Sequence, residues 1–167
     1  MWSFLGSWCL GFGASRGPTR VMSVLGIGVD LVENARIEHS LKRFGERFLH
    51  RVFTAGEIEY SQSMKYPARH LAARFAAKEA VSKAFGTGIG KAMGWKDIDV
   101  HRKPSGEPFV VLEGGAKKLA AERGVGAVWI TLSHTENHAM AMIVLEREGG
   151  SGAPRTMAKN GGEAASI

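Results

Sequence analysis

Apolar positions in the middle of this chain repeat at two periods, and the alternation between them predicts its elements. Val24 to Val29 is a short apolar run that reads as a strand, ended by Asp30. Gly26 and Gly28 inside it mark a place where another backbone or a ligand comes close. From Asn34 to Phe44 the period becomes helical, with Ile37, Leu41 and Phe44 at i, i+4 and i+7 as a buried face. Arg36 and Arg43 form a basic stripe beside that face, and Arg47 extends it if the helix survives Gly45. Thr54 with Glu57 is a capping box for a short helix ending near Ser63. Pro67 suits the first turn of a longer helix, for which Gly86 serves as the C-cap.

That long helix is the centre of the chain. Wound at about 100° per residue, it gathers Ala73, Ala76, Ala77, Ala80, Val81 and Ala84 on one arc of small residues. Arg74, Lys78, Glu79, Ser82 and Lys83 take the other arc, with Phe75 among them. A solvated face rarely needs a phenylalanine, so this arc is expected to be partly covered. Gly86 to Lys91 is a glycine-rich loop, but it follows a helix and residue 92 is Ala, so it is no Walker A loop. Asp97 to Arg102 and Pro108 to Leu112 read as a hairpin around Pro104-Ser105-Gly106-Glu107. Gly115 to Arg123 is an amphipathic helix ended by Gly124. Ala127 to Ser133 and Ala139 to Glu146 are strands around the turn Thr135-Glu136-Asn137.

Composition narrows the class. The chain has 167 residues and 44% hydrophobic content, enough for one domain with a real core. A net charge of +6 and a pI near 9.7 favour an acidic partner without choosing among nucleic acid, membrane surface, acidic protein or phosphorylated small molecule. The single cysteine, Cys9, excludes an internal disulfide and points to a reducing compartment. No apolar run approaches the ~20 residues of a membrane-spanning helix. Residues 1–21 lack acids and are rich in Gly and Ser; they read as a loose extension ahead of a start at Met22. Residues 148–167, rich in Gly, Ala and Ser, read as a disordered tail.

Asp30 and Glu79 are the acids best placed for chemistry. Two carboxylates, completed by phosphate and water, suit Mg²⁺, which keeps an octahedral oxygen shell. A strand-end aspartate that caps the next helix is the competing reading. Arg74, Lys78 and Lys83 are candidate phosphate holders, or a solvated charged face. His134 and His138 flank a turn rather than share a helix face, so a zinc pair is not expected; His134 is a candidate phosphate-facing group or a surface histidine. Gly26 and Gly28 lack the third glycine of a dinucleotide fingerprint.

Taken together, these stretches resemble one family. Gly26-Ile27-Gly28-Val29-Asp30-Leu31-Val32-Glu33, followed by Ala35-Arg36-Ile37, resembles the opening motif of the holo-acyl-carrier-protein synthases. Arg74-Phe75-Ala76-Ala77-Lys78-Glu79-Ala80, with Lys83-Ala84-Phe85-Gly86-Thr87-Gly88, resembles their second motif. Gly106-Glu107-Pro108 and Thr131-Leu132-Ser133-His134-Thr135 make a weaker third piece. The resemblance spans residues 22–147 and leaves out both ends.

It implies a single compact α+β domain, an antiparallel sheet packed with the long central helix. It implies a 4′-phosphopantetheinyl transferase of fatty acid biosynthesis that uses coenzyme A and Mg²⁺. A serine of apo acyl carrier protein attacks the β-phosphate, giving holo carrier and adenosine 3′,5′-bisphosphate. By the same resemblance Asp30 and Glu79 hold the metal and Lys83 contacts phosphate, while Arg74, Gly86 and His134 line the coenzyme A site. Glu79 is a candidate to take the serine proton through water. Arg36, Arg43 and Arg47, with Phe44, dock the acidic carrier; the assembly is a cytoplasmic homotrimer with sites shared between subunits. A metal-dependent phosphohydrolase and a basic nucleic-acid-binding protein are the alternatives from other classes.

Overall fold

The computed structural model describes residues 23–147, so the readings of residues 1–21 and 148–167 lie outside the described residues. Strand β1 (Val24–Glu33) leads into helices α1 (Asn34–Phe44), α2 (Glu46–Val52) and α3 (Ala55–Gln62), then the long α4 (Pro67–Ala84). Strands β2 (Ile98–Arg102) and β3 (Pro108–Leu112) follow, then α5 (Gly114–Glu122), β4 (Val125–His134) and β5 (His138–Arg147). The architecture is α+β with antiparallel pairing throughout: a three-stranded sheet in the order β1-β5-β4, and a separate β2-β3 hairpin.

Small residues let α4 press onto the sheet. Ala76, Ala77, Ala80 and Val81 are wholly buried. A Cβ on Gly28 would lie 1.9 Å from the Ala80 carbonyl oxygen, and one on Gly26 would lie 2.2 Å from that of Ala84. Only glycine permits helix and strand to run so close. Pro67 stands in the first turn of α4, and Gly86, at φ 65°, follows its Phe85 C-cap. The capping box closes as expected: the Glu57 N–H donates to Thr54 Oγ1, and the Thr54 N–H donates to Glu57 Oε2.

Three features depart from the sequence reading. β1 does not end at Asp30; it continues to Glu33, with Asp30 opposite Ala141, because β5 supplies ladder partners as far as His138. Phe44 is 51% exposed rather than buried, because α1 stops at Gly45, whose φ of 54° turns the chain into α2 before another turn can reach the core. Arg47 therefore belongs to a different helix from Arg36 and Arg43.

The polar arc of α4 is partly covered. Arg74, Lys78 and Ser82 are buried, and Phe75 packs on Trp95 with ring centroids 4.9 Å apart. The Lys78 ammonium donates to Glu57 Oε2 at 2.8 Å, the Trp95 carbonyl at 2.9 Å and the Ile98 carbonyl at 2.5 Å. Glu57 Oε1 accepts from the Val100 N–H at 2.9 Å. Lys78 thus joins α4 to α3 and β2 and is not available to hold a phosphate. Burial lowers its proton affinity and the Glu57 carboxylate works against that.

The opposite face of the sheet is open. Ile27, Val144 and Trp129 lie in one cross-strand row, Val29, Met142 and Thr131 in the next, and Leu31, Met140 and Ser133 in a third. Ile27, Val29, Leu31 and Trp129 are at least half exposed, a contiguous apolar surface of the kind that marks an interaction site.

Candidate active site

The glycine contact fixes where α4 meets β1, and the acids lie just beyond it. Asp30 is two residues past Gly28 on the same strand face and points to the helix side. Its Oδ1 accepts from Lys83 Nζ at 2.7 Å, and the same ammonium donates to the Val29 carbonyl at 3.2 Å. Asp30 is largely shielded, whereas the Lys83 side chain is 51% exposed. Asp30 is therefore no helix cap; Glu33 occupies the N-cap position of α1.

Glu79 stands one turn before Lys83 on α4. Burial raises its proton affinity, the nearby Asp30 carboxylate raises it further, and the Lys83 and Arg36 cations oppose both. Asp30, Lys83 and Arg36 thus all act on Glu79. Among the described residues no three or more His, Cys, Asp or Glu side chains gather as a metal cage. Two hard carboxylates suit Mg²⁺, which takes its other oxygens from water and phosphate, better than zinc. The ammonium on Asp30 shows that this carboxylate already holds a cation.

A second cluster occupies the N-terminal half of α4. The Arg74 guanidinium lies 4.2 Å over the Tyr60 ring and donates to the His70 carbonyl at 3.1 Å, while its Nε is buried without an acceptor. The His70 ring approaches that of His134 at 6.0 Å and that of Tyr60 at 5.8 Å. Burial lowers the proton affinity of His70 first, followed by the charges of Arg74, His134 and Arg102. Sequence reasoning missed His70, Tyr60 and Arg102. The signal for His70 was its position one turn before Arg74 on the same helix face.

The site residues therefore fall into two groups. Asp30, Glu79, Lys83 and Gly86 gather at the C-terminal half of α4; Arg74 and His134 gather at its N-terminal half. Arg74 and Lys83 are nine positions apart along the helix, a rise of about 13.5 Å. Gly86 donates its N–H to the Lys83 carbonyl and opens the exposed loop beyond the helix. Arg123 supports that corner, its guanidinium hydrogen-bonded to the Phe85 carbonyl. Arg36, Arg43 and Arg47 are exposed on α1 and α2, and the Arg43 guanidinium lies 5.0 Å over the exposed Phe44 ring. A cavity lined by Glu33, Asn34, Glu38, Arg69, Glu136 and His138 shares none of these residues.

Fold and site together define a small α+β protein with paired carboxylates and cations along one helix–sheet seam. The chain belongs to the 4′-phosphopantetheinyl transferase superfamily, whose family model matches residues 26–143. The holo-[acyl-carrier-protein] synthase of Koribacter versatilis is 46% identical over 123 residues, covering 74% of this chain and 98% of that protein. Its counterpart from Neisseria meningitidis superimposes with a TM-score of 0.71 at 34% identity, over 75% of this chain and all of that one. The Helicobacter pylori enzyme, solved in complex with coenzyme A, gives a TM-score of 0.64 at 34% identity, over 71% and 98% of the two chains. Membership of this family sets aside the phosphohydrolase and nucleic-acid readings. Among the described residues no helix is long and apolar enough to cross a membrane.

Proposed function

We propose that residues 22–147 form a holo-[acyl-carrier-protein] synthase domain. It moves 4′-phosphopantetheine from coenzyme A to a serine of apo acyl carrier protein, in fatty acid biosynthesis. The observation that carries this reading is the cluster of Asp30, Glu79 and Lys83 at the Gly26–Gly28 contact, in a chain of this family. The serine Oγ forms a bond to the β-phosphorus, the bridging P–O bond breaks, and adenosine 3′,5′-bisphosphate leaves with that bond's electron pair.

In this reading Asp30 and Glu79 hold Mg²⁺. When bound, the ion neutralises pyrophosphate charge and favours departure of the bisphosphate. Lys83 supplies an ammonium to the phosphates, and the Gly86 turn leaves room for their approach. Arg74 and His134 take the nucleotide end of coenzyme A, with His70 and Arg102 adding to that wall. Glu79, whose proton affinity burial raises, is assigned to accept the serine proton through water. Arg36, Arg43 and Arg47 attract the acidic carrier, and Phe44 gives it an apolar contact.

The open apolar sheet face supports a homotrimer, and the spacing between the two clusters supports sites completed by a neighbouring subunit. A cytoplasmic location belongs to the same proposal. The test is to incubate the protein with coenzyme A, Mg²⁺ and apo acyl carrier protein and to weigh the carrier. A gain of one phosphopantetheine is expected; an unmodified carrier, with coenzyme A hydrolysed or intact, overturns the reading. Light scattering tests the assembly: a fully active monomer excludes the trimer.

A further inference from the structure

Among the described residues, the Lys83 ammonium has two partners, Asp30 Oδ1 and the Val29 carbonyl. It occupies Oδ1 of Asp30, one of the two oxygens with which this carboxylate would hold a metal ion. Two cations cannot share one carboxylate oxygen at contact distance without strong repulsion. Asp30 is on a central ladder position of β1, shielded and fixed; Lys83 is half exposed, on a flexible four-carbon stem at the last turn of α4. When the two cations compete, Lys83 is the group that moves.

We propose that Lys83 is a placeholder cation. It neutralises Asp30 until a pyrophosphate draws its ammonium away, so a divalent cation and coenzyme A bind with positive coupling. The inference rests on the reading of Asp30 and Glu79 as metal acids. Lys83 changes partner from carboxylate to phosphate, and the carboxylate it vacates becomes the ion's. The half-exposed ammonium has little to lose by the exchange, since half-exposed ion pairs are weak. Coupling also discourages the ion from occupying the acids before a phosphate arrives to complete its oxygen shell.

The test is direct titration with Mn²⁺, standing in for Mg²⁺ and followed by the resonance signal of the free ion. The proteins are full-length wild type, Lys83→Met, Lys83→Arg and Asp30→Asn, with folding checked by thermal melts. Without coenzyme A, Lys83→Met should bind Mn²⁺ at least about threefold more tightly than wild type, the scale of a partly exposed pair. Lys83→Arg keeps the charge and should stay close to wild type. The factor by which coenzyme A raises Mn²⁺ affinity should shrink in Lys83→Met by the same about threefold, and reciprocally for coenzyme A. If Lys83→Met binds Mn²⁺ no more tightly while Asp30→Asn loses it, the placeholder role is wrong and the metal acids stand. If Asp30→Asn binds Mn²⁺ as wild type does, the ion is elsewhere and both readings fall. If Lys83→Arg behaves like Lys83→Met, side-chain shape rather than charge governs the site, and the proposal fails.

Discussion

Lys78 and Lys83 lie about 1.4 turns apart on one helix, and each holds a carboxylate at under 3 Å. The first pair, with Glu57, is sealed from water on both sides. Its ammonium spends its three N–H groups on Glu57, Trp95 and Ile98, each from a different element. The second pair, with Asp30, stands half in solvent and ties only α4 to β1. Burial makes the difference. A charge without water must keep every partner it has, whereas a wetted one can exchange them. One lysine fastens the fold and the other is free to act.

The largest effect should come from breaking the sealed pair. Glu57→Ala or Lys78→Ala should lower stability by about 3–5 kcal/mol, because either leaves a buried charge alone. Lys83→Met should change it by less than about 1 kcal/mol. Urea unfolding compares them, and equal losses at the two lysines would erase the contrast. Replacing both Glu57 and Lys78 with methionine should recover much of the loss, since no charge remains stranded.

Catalysis should divide the other way. Asp30→Ala and Glu79→Ala are expected to melt near the wild-type temperature yet leave the carrier protein unmodified by mass. Near-normal turnover in either variant, at ordinary Mg²⁺, removes that residue from the metal site.

The basic stripe sharpens the contrast further. Charge reversal at Arg43 and Arg47 should raise the KM for carrier protein and weaken its salt dependence, with coenzyme A affinity little changed; each exposed pair is worth up to about 1 kcal/mol. Arg36 differs, because its charge reaches Glu79. Arg36→Glu should therefore disturb carrier binding and the acid site together. A purely carrier-side effect would show that it acts only in docking.

The smallest effect is electrostatic and visible without metal. Glu79 should titrate above the usual carboxylate range, since its burial and Asp30 outweigh Lys83 and Arg36. Removing a repelling carboxylate with Asp30→Asn should bring it down; removing a cation with Lys83→Met should push it up. Carbon-13 shifts of the glutamate carboxyls measure both. A raised folded value favours the protonated form, so this contribution to stability is complete below the unfolded value and lost as pH rises through the folded one. A Glu79 that titrates with the exposed glutamates refutes this account.

Most of the architecture was legible because local rules and tertiary packing agree. The capping box at Thr54, the β2-β3 turn and the small-residue arc of α4 each announce themselves over a few residues. Gly26 and Gly28 pointed to the close approach of a backbone or a ligand, and it is the backbone of α4 that comes close. Lys78 was not legible. Helical spacing sets it one turn after Arg74, but its burial depends on Glu57, Trp95 and Ile98, which only the folded chain brings together. Phe44 failed for a related reason: the period says which face a residue shares, not whether Gly45 cuts the helix before that face is covered. Of the site, the acids and Lys83 were readable as types, while their pairing in the absence of ligand was not. His70 lies one turn before Arg74 on α4, a spacing the sequence does show, whereas Tyr60 is set beside Arg74 by α3 meeting α4, and no spacing encodes that meeting.

Strand β1 alternates its loyalties residue by residue. Gly26, Gly28 and Asp30 look to the helix, and Ile27, Val29 and Leu31 look to the open face. A deletion of one residue ahead of Asp30 would swing the carboxylate among the apolar side chains and thrust Leu31 into its place beside Lys83. The strand can therefore be altered by substitution but not by a change of length. Any lineage that keeps the acid in place must inherit the parity of this strand unbroken, and with it the outward row that a neighbouring subunit would read.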